Sequence, residues 1–289
     1  MRPLTAPAIE QAYLAACRAE LAAIKPGNVH VHAAGHRMSV ADFEASAILS
    51  APHLAAAGAR VGARIEGAVA ATGAGIGQNT NLGIVLLCAP LAAAAERPGP
   101  LRQALGGVLA DLDQADAAGL YAAIRLANPG GLGRAERHDV TTDAAPPFLV
   151  AMGEAASRDR IARAYVTGFE DLFATGLPAL AVARAAGLTE PWTTTAVHLA
   201  FLTGFPDSHI ARKFGPAAAE RVRAEAEAAL RGLALGEGAR TALLAHDTAL
   251  KEAGLNPGTS ADLTVATLFL DALACRKAED DASTNATRQ

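Results

Sequence analysis

Five short polar segments carry the residues in this chain whose types and spacing suit chemistry on a charged substrate. The first is Lys25-Pro26-Gly27-Asn28-Val29-His30, followed by His32 and Gly35-His36. A lysine beside a Pro-Gly turn and several imidazoles could hold a polyphosphate by charge and steady it through ring N–H groups. A lysine ending a helix, with exposed histidines after it, would also look like this. The cluster lacks the HExxH spacing of a zinc helix. The second segment, Thr72 to Gly83, contains Gly77-Gln78-Asn79-Thr80-Asn81-Leu82-Gly83. Its glycines let a ligand approach the backbone, and the helix start that follows attracts anions. Its spacing fits neither a dinucleotide fingerprint nor a P-loop, and a plain turn capped by Asn79, Thr80 or Asn81 is the alternative.

The third segment runs Asn128-Pro129-Gly130-Gly131-Leu132-Gly133 and leads to His138-Asp139. Asp139 could bind Mg²⁺ or orient His138. The nearby run Arg158-Asp159-Arg160 reads as a solvated helix face. In the fourth segment, a helix starting at Ser208 would put His209, Arg212 and Lys213 on one side, next to Asp207. That grouping suits phosphate with a metal, or a capped helix with a basic surface. The fifth, Asn256 to Asp262, offers Ser260 as a cap and Asp262 in a first helical turn, where a structural role suffices.

These segments interrupt a chain of 289 residues that is 51% hydrophobic but only 4% aromatic, with net charge −4. Alanine makes up about a quarter of it, and its small side chain and high helix propensity favour closely packed helices. No alternating run is long enough to claim a strand. The expected fold is all-α, a single multi-helix domain over residues 1–277 with a polar, flexible tail at 278–289. Helices are expected near 8–24, 55–72, 82–96, 101–118, 148–174, 178–187, 193–204, 209–235, 238–254 and 261–277, with one more opened by Ser39 and Asp42 as a capping-box variant. Dispersed basic residues argue against nucleic-acid binding. Cys17, Cys88 and Cys275 read as buried thiols. The longest apolar run, Leu82 to Ala95, is shorter than a membrane span requires, and no signal sequence is visible, so a cytoplasmic, membrane-free protein is expected.

Taken in order, KPGNVH (25–30), GH (35–36), DFEASA (42–47), GQNTNLG (77–83), PGGLG (129–133) with DV (139–140), RDRIARAY (158–165), DSHIARKFG (207–215) and PGTSADL (257–263) resemble the triphosphoribosyl-dephospho-CoA synthase family. The resemblance implies an all-helical, Mg²⁺-dependent enzyme that joins ATP to 3′-dephospho-CoA through the ribose and releases adenine. It implies His36, Asp139 and Asp262 as catalytic candidates and Asp139, Asp207 and Asp262 as metal ligands. Lys25, Asn28, His30, Gln78, Asn79, Thr80, Asn81, Arg212, Lys213 and Ser260 become candidates for substrate binding. Asn28 and His30 replace Leu and Asp of a KPGLVD form, and Asn81 and Leu82 replace His and a basic residue of a GxNTHKG form. In this the chain resembles a branch found in archaea and in bacteria with methanopterin-linked C1 metabolism. Two other readings follow: a related enzyme of C1-carrier cofactor synthesis, and a non-catalytic cofactor-binding protein. Small-molecule partners are expected, with a homo-oligomer also compatible.

Overall fold

The first helix, α1 (Ala6–Ala22), buries Ile9, Tyr13, Ala16, Cys17 and Leu21 along one stripe, as their three- and four-residue spacing dictates. A computed structural model describes residues 1–33, 38–128 and 146–287, with side chains through residue 281. After α1 come α2 (Val40–Leu54), α3 (Val61–Ile76), α4 (Leu82–Ala95), α5 (Leu101–Ala110), α6 (Gln114–Ala127) and α7 (Phe148–Ala155). They are followed by α8 (Arg160–Thr167), a π-helical turn at Leu172–Gly176, α9 (Leu177–Ala185), α10 (Trp192–Gly204) and α11 (Ser208–Phe214). The last three are α12 (Pro216–Leu230), α13 (Arg240–Glu252) and α14 (Gly258–Thr287). The described residues contain no strand, only an isolated bridge between His30 and Ala33, so the expected all-α class holds.

Three expected helices are each split by a local stop signal. Asp113 accepts hydrogen bonds from the Ala115 and Asp116 N–H groups and its own N–H donates to the Asp116 carboxylate, a full capping box that starts α6 within the expected 101–118 helix. Asp159 caps α8 by accepting the Ile161 and Ala162 N–H groups, so Arg158-Asp159-Arg160 is a helix entrance and not a solvated helical face. Gly215, at φ 87°, turns the chain into Pro216 and separates α11 from α12. The Ser39–Asp42 box is present as expected. The helix expected at 55–72 begins later, at Val61. The last helix continues through Thr287, into the stretch expected to be a polar tail.

α4 is apolar on every side and sits in the middle, against α3, α5, α8 and α14. Small residues let neighbours close in: a Cβ on Gly62 or Gly119 would run into backbone of the facing helix, so α3 and α6 touch main chain to main chain. The larger apolar cluster joins α1–α8 with α14, and a second one joins α10–α13. The Gly258–Asp281 part of α14 has the length and composition of a membrane span, yet 67% of its most apolar window is buried among other helices. At its far end the buried Lys277 ammonium donates to the carbonyls of Arg2 (3.0 Å), Ala95 (3.1 Å) and Arg97 (2.7 Å), closing the C-terminus of α4. Cys17 and Cys88 are buried as expected, but Cys275 is exposed because it falls on the outward side of α14.

Candidate functional site

Where α1, α2, α4, α6, α7, α8, α11 and α14 converge they leave a cavity of about 530 Å³, of the size that encloses a nucleotide-like ligand. All five polar segments reach its wall: the first through Asn28, the second through Asn79 and Thr80, the third through Asn128, the fourth through Arg212 and Lys213, the fifth through Asp262. The rest of the third, with Asp139, lies outside the described residues, as does His36; Met38, which follows the stretch that holds His36, also borders the cavity.

The wall has three chemical regions. The cationic one is formed by Arg158, His209, Arg212 and Lys213. Arg212 Nη1 lies 3.5 Å from Asp159 Oδ2. The other oxygen of Asp159 accepts the N–H groups of Ile161 (2.9 Å) and Ala162 (3.0 Å), so one carboxylate fixes both the helix entrance and the cation. The second region is a strip of hydrogen-bond acceptors and amides, Glu20, Asn28 and Asn256. Asn28 Nδ2 donates to Asn256 Oδ1 at 2.8 Å. The third is apolar, with Phe43, Leu82, Tyr121, Ile124 and Met152 prominent.

Asp262 opens on the cavity from the first turn of α14. Burial, together with the charges of Asp207 and Glu20, holds its carboxyl well above the usual carboxylate range, while Arg212 pulls the other way. The carboxylate reaches its place only because residue 83 has no side chain. A Cβ there would collide with Asp262 Oδ2 and stand 2.9 Å from Ile161 Cδ1. Gly83→Ala should raise intrinsic helix propensity in α4 by up to about 1 kcal/mol yet lower turnover by roughly 100-fold, since a displacement near 1 Å at a reacting group has that effect. Circular dichroism paired with steady-state rates would check this, and full activity would show that the carboxylate's position is unimportant.

Asp207 is arranged quite differently. It is buried, and Oδ1 accepts from His209 N (2.9 Å) and Ile210 N (3.2 Å) while Oδ2 accepts from Ser260 N (2.8 Å) and Ser260 Oγ (2.9 Å). It caps α11 and ties it to the start of α14, and neither it nor Ser260 lines the cavity. Lys25 is also withdrawn: fully buried, it is paired with Glu20 and donates to Asn28 Oδ1 at 3.2 Å. His30 is buried with Nε2 at 3.3 Å from Asp247 Oδ2, which belongs to α13. Asp247 also accepts Gly27 N–H at 2.8 Å and Lys251 Nζ at 2.9 Å, so this network fixes the Lys25–His30 loop from behind. Asn81 turns inward to Ser50 Oγ (3.2 Å). Gln78 is exposed and off the wall. Asn79 Oδ1 accepts Leu82 N–H at 3.2 Å, and Thr80 bonds to Ser46.

Sequence reasoning did not single out Glu20 or Asn256 and took Arg158 and Asp159 for a surface run. For Glu20 a signal exists: it stands three and four positions after Cys17 and Ala16, and so inside the apolar stripe of α1, where an acid needs a reason to be. Among the described residues no three His, Cys, Asp or Glu side chains group closely enough to hold a metal ion.

The family model of CitG, ATP:dephospho-CoA triphosphoribosyl transferase, matches residues 6–280. The chain belongs to this family. A crystal structure from Archaeoglobus fulgidus, provisionally named a triphosphoribosyl-dephospho-CoA synthase, is 25% identical, with a TM-score of 0.62 over 80% of this chain and 98% of that one. No curated protein matches the sequence. The family is one of transferases with ATP and dephospho-CoA as substrates.

Proposed function

We propose that the protein transfers the triphosphoribosyl unit of ATP to a hydroxyl of 3′-dephospho-CoA and releases adenine. The observation that supports this most is the convergence, on one cavity wall of a chain in this family, of a cationic region, an apolar region and a carboxylate of raised pKa. Arg158, Arg212 and Lys213 supply charge and N–H donors for the triphosphate. The apolar region around Phe43 and Tyr121 suits a planar base. Breaking the C1′–N9 bond sends its electron pair to adenine, which takes up a proton, and leaves positive charge on the ribose carbon. Asp262 stabilises that charge when ionised and accepts the proton of the attacking hydroxyl, a contribution of about 10²–10⁴ in rate.

The donor set fits Mg²⁺ carried in on the triphosphate. Such an ion takes one or two protein carboxylates and completes its shell with phosphate and water. Glu154, Asp159 and Asp262 are carboxylates beside the cationic region, and Asp207 has both oxygens committed to α11 and α14. Bound there, the ion would neutralise phosphate charge.

Incubation with ATP, Mg²⁺ and dephospho-CoA should yield adenine and a ribosylated product by mass spectrometry, and absence of both would refute the reading. Arg212→Ala should weaken ATP binding by roughly tenfold or more, the worth of a charge-assisted hydrogen bond, which equilibrium titration measures. A different acceptor is the second reading, and it is favoured by one observation: Asn28 and Leu82, two of the residues that depart from the KPGLVD and GxNTHKG forms, both line the cavity. Adenine release with a C1-carrier precursor but not with dephospho-CoA would select it.

A further inference from the structure

The cations on the cavity wall gather on one side, where Glu154, Asp159 and Asp262 also stand, and their confinement to that side orients a nucleotide. All the cations that line it belong to the α7–α8 junction or to α11, whereas Glu20, Asn28 and Asn256 form a strip without a cation facing the cavity. A triphosphate placed against Glu20 would meet a carboxylate, so the phosphates belong at the arginines and the part of the ligand at the strip must be one that donates hydrogen bonds. In ATP the donors are the adenine amino group and the ribose hydroxyls; with the base against the apolar region around Phe43 and Tyr121, the strip takes the ribose, whose neighbouring hydroxyls pair well with an ionised carboxylate.

The strip is built for that task. Glu20 is only 4% exposed yet borders the cavity, and Lys25 takes its Oε1. No other hydrogen bond to this carboxylate is formed among the described residues. Lys25 in turn donates to Asn28, and Asn28 to Asn256, so the three wall residues are linked in one chain of hydrogen bonds, and burial restricts their rotamers. Lys25 itself does not reach the cavity. Its part is to orient Glu20.

From this arrangement we infer that Glu20 is a substrate-contacting residue that accepts hydrogen bonds from the ribose hydroxyls of the nucleotide, with Lys25 as its positioning residue. The inference rests on the nucleotide-transfer reading above and adds to it an assignment of which end of the cavity holds the sugar. It makes Lys25 an indirect participant, one whose loss acts through a carboxylate and not through a phosphate.

Discrimination between ATP and its 2′-deoxy and 3′-deoxy analogues tests the assignment. Binding of the three nucleotides would be titrated to the wild type, to Glu20→Gln, and to the double variant Glu20→Gln/Lys25→Met, which leaves no unpaired buried ammonium. The wild type should prefer ATP over at least one analogue by roughly tenfold or more, and in whichever variant melts cooperatively the preference should shrink to about threefold or less. Unchanged discrimination in a folded variant overturns the role of Glu20 while leaving the transferase reading intact, as does a wild type that binds ATP and both analogues equally. A wild type that binds no ATP removes the nucleotide reading, and the Glu20 assignment with it.

Discussion

Asp262→Asn should melt at a higher temperature than the wild type at neutral pH and release adenine some 10² to 10⁴ times more slowly, as loss of a general base does. The stability half of this follows from the direction of the pKa shift. Burial, Asp207 and Glu20 raise the folded-state value of Asp262, so the folded protein holds a proton that the unfolded chain has already given up. Below the ordinary carboxylate pKa both states are protonated and the residue contributes no difference. As pH rises into the interval between the unfolded and folded values, the unfolded state alone gains charge and stability falls; above the folded value the full penalty is present. An amide carries no such penalty, so the melting advantage of the variant should vanish in acid and widen as pH rises. Wild-type turnover should climb with pH through the same raised value, as the carboxyl becomes available as a base. Scanning calorimetry across a pH series, with initial rates beside it, would check both halves. A variant that melts lower at pH 8 would show that Asp262 supports the fold and does not strain it.

Asp207→Ala should do the opposite. This carboxylate gathers three backbone N–H groups and one hydroxyl from two helices, and removing it strands all four donors in a buried position. Lost caps and unsatisfied buried donors together amount to about 3–5 kcal/mol, which corresponds to a fall on the order of 10 °C for a domain of this size. The fall should be nearly independent of Mg²⁺ and ATP concentration once binding is saturated, because the residue does not line the cavity. Melting curves with and without nucleotide would check it. A variant of normal stability that fails only to bind Mg²⁺ would instead make Asp207 a metal ligand.

Those two aspartates show what was legible in the sequence and what was not. Both follow loop residues, both stand at a helix start, and both fall in segments that carry the family resemblance. What separates them is that Asp207 meets the N–H and hydroxyl of Ser260, 53 residues later, while Asp262 meets an empty volume guaranteed by Gly83. Neither partner is local. Lys25 illustrates the same limit, since its type suits phosphate and only the fold reveals that Glu20 already holds it. Features governed by neighbours a few residues apart were readable: the Ser39–Asp42 box, the stripe of α1, the all-α class itself. The missed breaks at Asp113 and Asp159 were local signals too, but they fell between alanine-rich stretches whose apolar residues resume at helical spacing on both sides of the caps. Alanine gives strong helix propensity and a poor sense of where a helix ends. Glu20 went unnoticed although its position on the stripe marked it.

Lys277 sets a tolerance on the whole site. Asp262 and Lys277 are fifteen positions apart on α14, roughly 22 Å along the axis, and Gly83 begins the helix whose last turn Lys277 closes. The two elements that must pass within contact distance at the cavity are therefore clamped together at their opposite ends as well. Two rods held at one point can pivot, whereas two rods held at both ends keep their phase. Registration of the carboxylate over the glycine is thus a property of the full length of both helices, and a side chain far from the cavity acts as the datum from which Asp262 is aligned.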